Sequence, residues 1–120
     1  MKKICVIDDN GPIRKLFCTI LKKDGYELYD FANGETALKE LTVVKPDLII
    51  MDILLPDING TELIGKVKSL DGFADVPVVA VTGFASEEDA IKLKEIGFIR
   101  YLSKPVNTTV LSEEVKKLLG

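Results

Sequence analysis

Apolar residues along the chain follow two rhythms that alternate. Three short runs are apolar without interruption: Ile4-Cys5-Val6-Ile7, Leu48-Ile49-Ile50-Met51 and Val78-Val79-Ala80-Val81. A strand covered on both faces reads this way, so each run predicts a central strand of a parallel sheet. Ile99-Arg100-Tyr101-Leu102 is a weaker run, and Tyr26 to Ala32 sets Glu27 and Asp30 among Leu28, Tyr29 and Phe31. The mixed polarity of Tyr26 to Ala32 suits an edge strand, and the weakness of the last run points to a second edge.

Between the runs the apolar spacing turns helical. Ile13, Leu16, Phe17, Ile20 and Leu21 form an i, i+3, i+4, i+7, i+8 stripe that predicts a core-facing helix. Pro12 fits its first turn, where the missing N–H costs nothing, and Gly25 ends it. A second helix is predicted from Glu35 to Val44, stopping before Pro46, and a third from about Gly60 to Leu70. Ser86-Glu87-Glu88-Asp89 reads as a capping box opening a fourth helix, which Gly97 closes. Its Ile91 projects away from Leu93 and Ile96, so at least one of the three is expected on the surface. The fifth helix starts near Asn107 and is expected to bury Leu111, Val115 and Leu118.

Strand and helix thus alternate five times with short connections, the order of an α/β chain with parallel strands and right-handed crossovers. With the second and fifth strands at the edges, the expected architecture is a flavodoxin-like, doubly wound, five-stranded parallel sheet of order 2-1-3-4-5 with five helices. Residues 1–120 are expected to form one domain, since a second would lack chain for its own core.

Composition narrows the function. The chain has 47% hydrophobic and 29% charged residues, an ordinary globular balance. Its net charge is −3, which argues against nucleic acid or an anionic membrane as partner. Histidine is absent, which removes His-based acid–base catalysis, His metal ligands and a phosphohistidine on this chain. Cys5 and Cys18 sit in apolar stretches and read as buried thiols in a reducing compartment, too few for a zinc site. There is no signal-peptide pattern, and no apolar run approaches the ~20 residues of a membrane span. A soluble, cytoplasmic protein is expected.

In an open α/β sheet, ligands bind beyond the carboxyl ends of the strands. Asp8 and Asp9 follow the first strand, Asp52 ends the third, Thr82 the fourth, and Ser103-Lys104-Pro105 the fifth. An Asp at any one of these places is an ordinary turn former or helix cap. Three carboxylates brought together repel one another and call for a cation. Without His or Cys they make a hard oxygen site suited to Mg²⁺ or Mn²⁺, whose shell is completed by water and phosphate oxygens. Lys104 and Thr82 then serve as charge and hydrogen-bond partners for a phosphoryl group. The chemistry indicated is phosphoryl transfer with one Asp as nucleophile. No GxxxxGK[ST] or GxGxxG follows the first strand, and the acidic pair there disfavours a flavin or dinucleotide phosphate.

The chain resembles a response-regulator receiver domain, the phosphoacceptor half of two-component signalling. The resemblance covers nearly the whole chain and rests on ICVIDDN, KPDLIIMDILLPDING, VVAVTG and YLSKP. It implies that Asp52 is the phosphorylated carboxylate. It further implies that Asp9 binds Mg²⁺ directly, that Asp8 binds it directly or through water, and that the Leu54 carbonyl supplies another ligand. Thr82 would bond the phosphoryl group and move toward it. Lys104 would pair with a phosphoryl oxygen, and with Asp52 beforehand, aimed by a cis Lys104-Pro105 peptide. Tyr101 matches the aromatic that turns inward with the threonine; a half-buried edge-strand tyrosine is the plainer alternative. The implied donor is a histidine kinase or histidine phosphotransfer protein. The implied output is a downstream protein bound at the face of the fourth helix, fifth strand and fifth helix, with the chain a monomer or weak dimer.

Leu54 and Phe84, two residues beyond Asp52 and Thr82, flank the path of the hydrolytic water in the family, and both are apolar here. A long-lived aspartyl phosphate is therefore expected. Two other readings fit the same residues. One is a degenerate receiver that only binds protein, against which the intact Asp, Thr and Lys set stands. The other is a phosphatase resembling haloacid dehalogenases, against which stands Asp52-Ile53-Leu54, lacking the second acid of DxD. No output module is recognisable in the 120 residues, so the receiver either acts by docking or was cut from a longer protein.

Overall fold

The uninterrupted apolar runs become the strands buried on both faces. The structure is a computed structural model and describes residues 1–83 and 86–120. Among these residues, strands β1 (Lys3–Ile7), β2 (Glu27–Phe31), β3 (Leu48–Asp52), β4 (Val78–Thr82) and β5 (Arg100–Ser103) alternate with helices. The helices are α1 (Gly11–Lys23), α2 (Gly34–Val44), α3 (Gly60–Lys68), α4 (Glu87–Ile96) and α5 (Thr108–Leu119). All pairings are parallel, in the order β2-β1-β3-β4-β5. Every residue of β3 and β4 is buried, whereas β2 exposes Asp30 and β5 exposes Arg100 and Ser103.

Strand alternation divides the core into two layers. Ile4 and Val6 pack with Phe17 and Leu21 of α1 and with Leu111 and Val115 of α5. Cys5 and Ile7 face the other way, onto Ala37 and Leu41 of α2, Leu63 and Val67 of α3, and Leu93 of α4. Each Val, Leu, Ile or Phe among them contributes about 1.5–3 kcal/mol by leaving water. Every helix is also capped: Asn10, Asn33, Asn59, Ser86 and Asn107 each accept a backbone N–H of the following turn. These caps lie in the strand-to-helix loops, so they stiffen the rim beyond the carboxyl ends of the strands.

Some expectations need correcting. The α1 stripe is not wholly core-facing, since Leu16 is 43% exposed. At about 100° per residue it points well away from its neighbour Phe17, which takes the buried position. Cys18 is only half-buried. Leu118 is half-buried as well, and α3 ends at Lys68 rather than Leu70. In α4, Leu93 is buried while Ile91 and Ile96 are 58% and 42% exposed, so the expected apolar surface is present and Ile96 adds to it.

Candidate functional site

Parallel pairing aligns the strand ends and brings the expected residues onto one rim. Asp8 follows β1, Asp52 ends β3, and Thr82 ends β4 with Ser103 of β5 beside it. One carboxylate oxygen from each of Asp8, Asp9 and Asp52 lies within 4.8 Å of the others. Asp8 and Asp52 are buried and Asp9 is exposed. Lys104 reaches in from beyond β5, with Nζ 3.0 Å from Asp52 Oδ2. Its backbone N–H donates to the Thr82 carbonyl (2.9 Å), tying the lysine's base to β4. The Lys104-Pro105 peptide is cis.

Asp8 is held from several sides. Its N–H donates to the Phe31 carbonyl (3.1 Å), and its Oδ1 accepts the Asn10 N–H (2.9 Å). Among the described residues its buried Oδ2 has no hydrogen-bond partner. Burial raises the Asp8 pKa; the Asn10 N–H opposes this, the Asp52 charge adds to it, Lys104 opposes it, and Asp9 adds a little. A buried, unpartnered carboxylate oxygen beside two further carboxylates fits a hard divalent cation. Asp8, Asp9 and Asp52 are the residues that would hold it.

The segment after β3 is folded tightly onto the site. Gly60 donates its N–H to the Ile53 carbonyl (2.7 Å), and Leu54 bridges Asn59 in antiparallel fashion. A Cβ on Gly60 would stand 2.8 Å from the Asp52 carbonyl oxygen and from Ile53 Cα, so only glycine admits this approach. The Leu54 N–H donates to Asp52 Oδ1 (3.2 Å), placing its backbone at the carboxylate. The Leu54 side chain is 57% exposed. It lines a cavity of about 250 Å³ with Thr82, Leu93 and Ile96.

Thr82 is buried and lies on the same sheet face as Ala80, by strand alternation. Ala80 is the register partner of Tyr101, and Tyr101 is half-buried against that layer. The two switch candidates therefore face α4 together. Phe84 lies outside the described residues.

Three residues that shape the rim were missed. Arg14 donates from Nε to Asp30 Oδ2 (2.9 Å) and from Nη1 to the Asp8 carbonyl (2.8 Å). Asp57 accepts the Gly34 and Glu35 N–H groups (3.0 and 2.8 Å). Asp57 stands within LPDING, where nothing local marks it as the partner of a helix that begins 23 residues earlier. Nothing local marks Arg14 or Asp30, because their pairing crosses from α1 to β2.

A doubly wound sheet with this rim defines a class, the receivers that answer to a phosphoryl donor. The chain belongs to the response regulator receiver domain family, whose model matches residues 4–116. It is 36% identical over 119 residues to the polar-differentiation response regulator DivK of Brucella anthropi, covering 99% of this chain and 97% of that protein. The chemotaxis response regulator CheY4 of Vibrio cholerae superposes with a TM-score of 0.94 at 28% identity, over 99% of both chains. A CheY-like receiver domain protein of Methanospirillum hungatei does so with 0.88 at 34% identity, over 98% of this chain and 94% of that one. The chain is thus a signalling domain of the two-component kind, from a family that binds divalent metal in an acidic pocket and works with histidine kinases and downstream targets.

Proposed function

We propose that residues 1–120 form one receiver domain that takes a phosphoryl group onto Asp52 from a phosphohistidine of a kinase or phosphotransfer protein. The observation that carries this reading is the buried Asp52 carboxylate, salt-bridged to Lys104 and set against Asp8 and Asp9. The phosphohistidine P–N bond breaks as a carboxylate oxygen of Asp52 bonds to phosphorus, and the imidazole leaves with the electron pair. Lys104 exchanges its carboxylate partner for a phosphoryl oxygen, and the Thr82 hydroxyl donates to another. Asp8, Asp9, Asp52 and the Leu54 carbonyl would hold Mg²⁺, or Mn²⁺ in its place, which would neutralise the incoming negative charge. The domain assists its own phosphorylation and dephosphorylation by positioning these groups.

Thr82 and Tyr101 make up the switch, read out at the face of α4, β5 and α5 by a downstream protein. The pair shares one sheet face under α4, and Ile91, Ile96, Ile99 and Val110 leave apolar surface there. The chain acts in the cytoplasm as a monomer or weak dimer, with neither nucleic acid nor membrane as partner. Among the described residues no helix is long and apolar enough to cross a membrane.

The test uses beryllofluoride, a non-covalent phosphoryl mimic, with Mg²⁺ and amide NMR. Shifts should appear at the acid cluster and extend to Thr82, Tyr101 and α4, and Asp52→Asn should abolish them. Shifts that survive in Asp52→Asn would refute the site.

A further inference from the structure

Three backbone or side-chain groups of Asp8 are already occupied, and only one of the bonds comes from a charged side chain. The N–H is used by Phe31 and Oδ1 by Asn10. The carbonyl is held at 2.8 Å by Arg14 Nη1. Arg14 is itself fixed, because its Nε donates to Asp30 Oδ2 at 2.9 Å. Its side chain is only 20% exposed, although Asp30 stands at 45% on the edge strand. The guanidinium therefore spans from β2 to the peptide that joins Asp8 to Asp9, gripping both with one planar fork. Lysine has one donor centre and cannot hold both in this geometry.

We infer that Arg14, aligned by Asp30, is a positioning residue for the metal: it fixes the Asp8–Asp9 peptide so that both carboxylates meet the cation at once. This rests on the reading that Asp8, Asp9 and Asp52 bind a divalent cation. A peptide unit carrying two adjacent ligands aims both through the same backbone torsions. Clamping its carbonyl removes freedom that the cation would otherwise have to remove.

The inference has a sign that separates it from a plain charge effect. Arg14 is a cation near an acidic cluster, so on electrostatics alone its removal makes the site more negative and tightens Mg²⁺. Positioning predicts the reverse. Mg²⁺ alone is titrated by calorimetry into the wild type, Arg14→Lys and Arg14→Gln, well below their melting temperatures, with melting in chelator recorded separately. The expected result is a dissociation constant about tenfold weaker in both variants, the lower end for loss of a partner that orients metal ligands. Lysine, which keeps the charge and loses the fork, should not rescue. A purely structural role would lower the melting temperature in chelator and leave Mg²⁺ affinity unchanged, which overturns the inference. Wild-type affinity in Arg14→Lys overturns it too, and this variant decides the matter if Arg14→Gln does not fold. Tighter binding by Arg14→Gln assigns Arg14 to charge alone and is equally contrary. If the wild type itself takes no Mg²⁺, the metal site falls, and the role of Arg14 with it.

Discussion

Leu54 carries its backbone and its side chain to different tasks. The N–H bonds the Asp52 carboxylate, while the side chain lines the cavity shared with Thr82. An isobutyl group there offers no hydrogen bond to orient water for attack on an aspartyl phosphate. Leu54→Asn should speed loss of phosphate from the isolated protein by about tenfold, the effect of ~1.4 kcal/mol on the barrier. Following phosphoprotein decay after removal of the donor checks this, and an unchanged lifetime would remove Leu54 from the account. Leu54 was legible because it stands two residues from a recognised Asp. Arg14 and Asp57 were not, because their meaning lies in what they touch. Arg14 bonds a carbonyl, which sequence does not display, and Asp57 caps a helix that begins 23 residues earlier.

Among the elements, α2 shows how a loop and a helix end support each other. Its first N–H groups are all used: Gly34 and Glu35 donate to Asp57, and Thr36 to Asn33. Asp57 lies in the segment that also carries Leu54, so this cap ties the loop beside Asp52 to the helix. The Gly34 N–H, then the Glu35 N–H, hold the Asp57 carboxyl below its ordinary 3.8. A lowered folded-state pKa means that the stabilisation is complete above the unfolded value and is lost as pH falls through the folded one. Asp57→Ala should therefore melt below the wild type at neutral pH. The gap should stay constant down to about pH 5 and close in more acid solution. Thermal melts from pH 7 to pH 2.5 test this; a gap that widens on acidification would contradict it. The strands were legible for a simple reason: runs such as Leu48 to Met51 and Val78 to Val81 can be apolar throughout only if both faces are covered. The α1 stripe was read too broadly, because helical spacing marks an apolar arc without showing how much of it the sheet covers. Leu16 lies outside the covered part.

The whole molecule places a buried charge where a cation can relieve it. Burial raises the Asp8 pKa, the mark of an ionised group that weakens the fold at neutral pH, and Asp52 and Asp9 add repulsion. A ligand selective for the native state stabilises by mass action, by about 2.7 kcal/mol at a hundred times its dissociation constant. The melting temperature should rise with Mg²⁺, and less so in Asp9→Ala; a curve unmoved at saturating metal would count against the site. The overall topology was legible because two polar edge strands and three apolar central ones fit the order 2-1-3-4-5. The cluster followed, since parallel strands must deliver their carboxyl-end residues to one rim. The central claim is that Asp52 alone accepts the phosphoryl group, and acetyl phosphate tests it directly. The protein is incubated with acetyl phosphate and Mg²⁺, trapped with borohydride, and the modified residue located by mass spectrometry. The account predicts a single modified position, Asp52, and no label in Asp52→Asn; label that persists in that variant would contradict it.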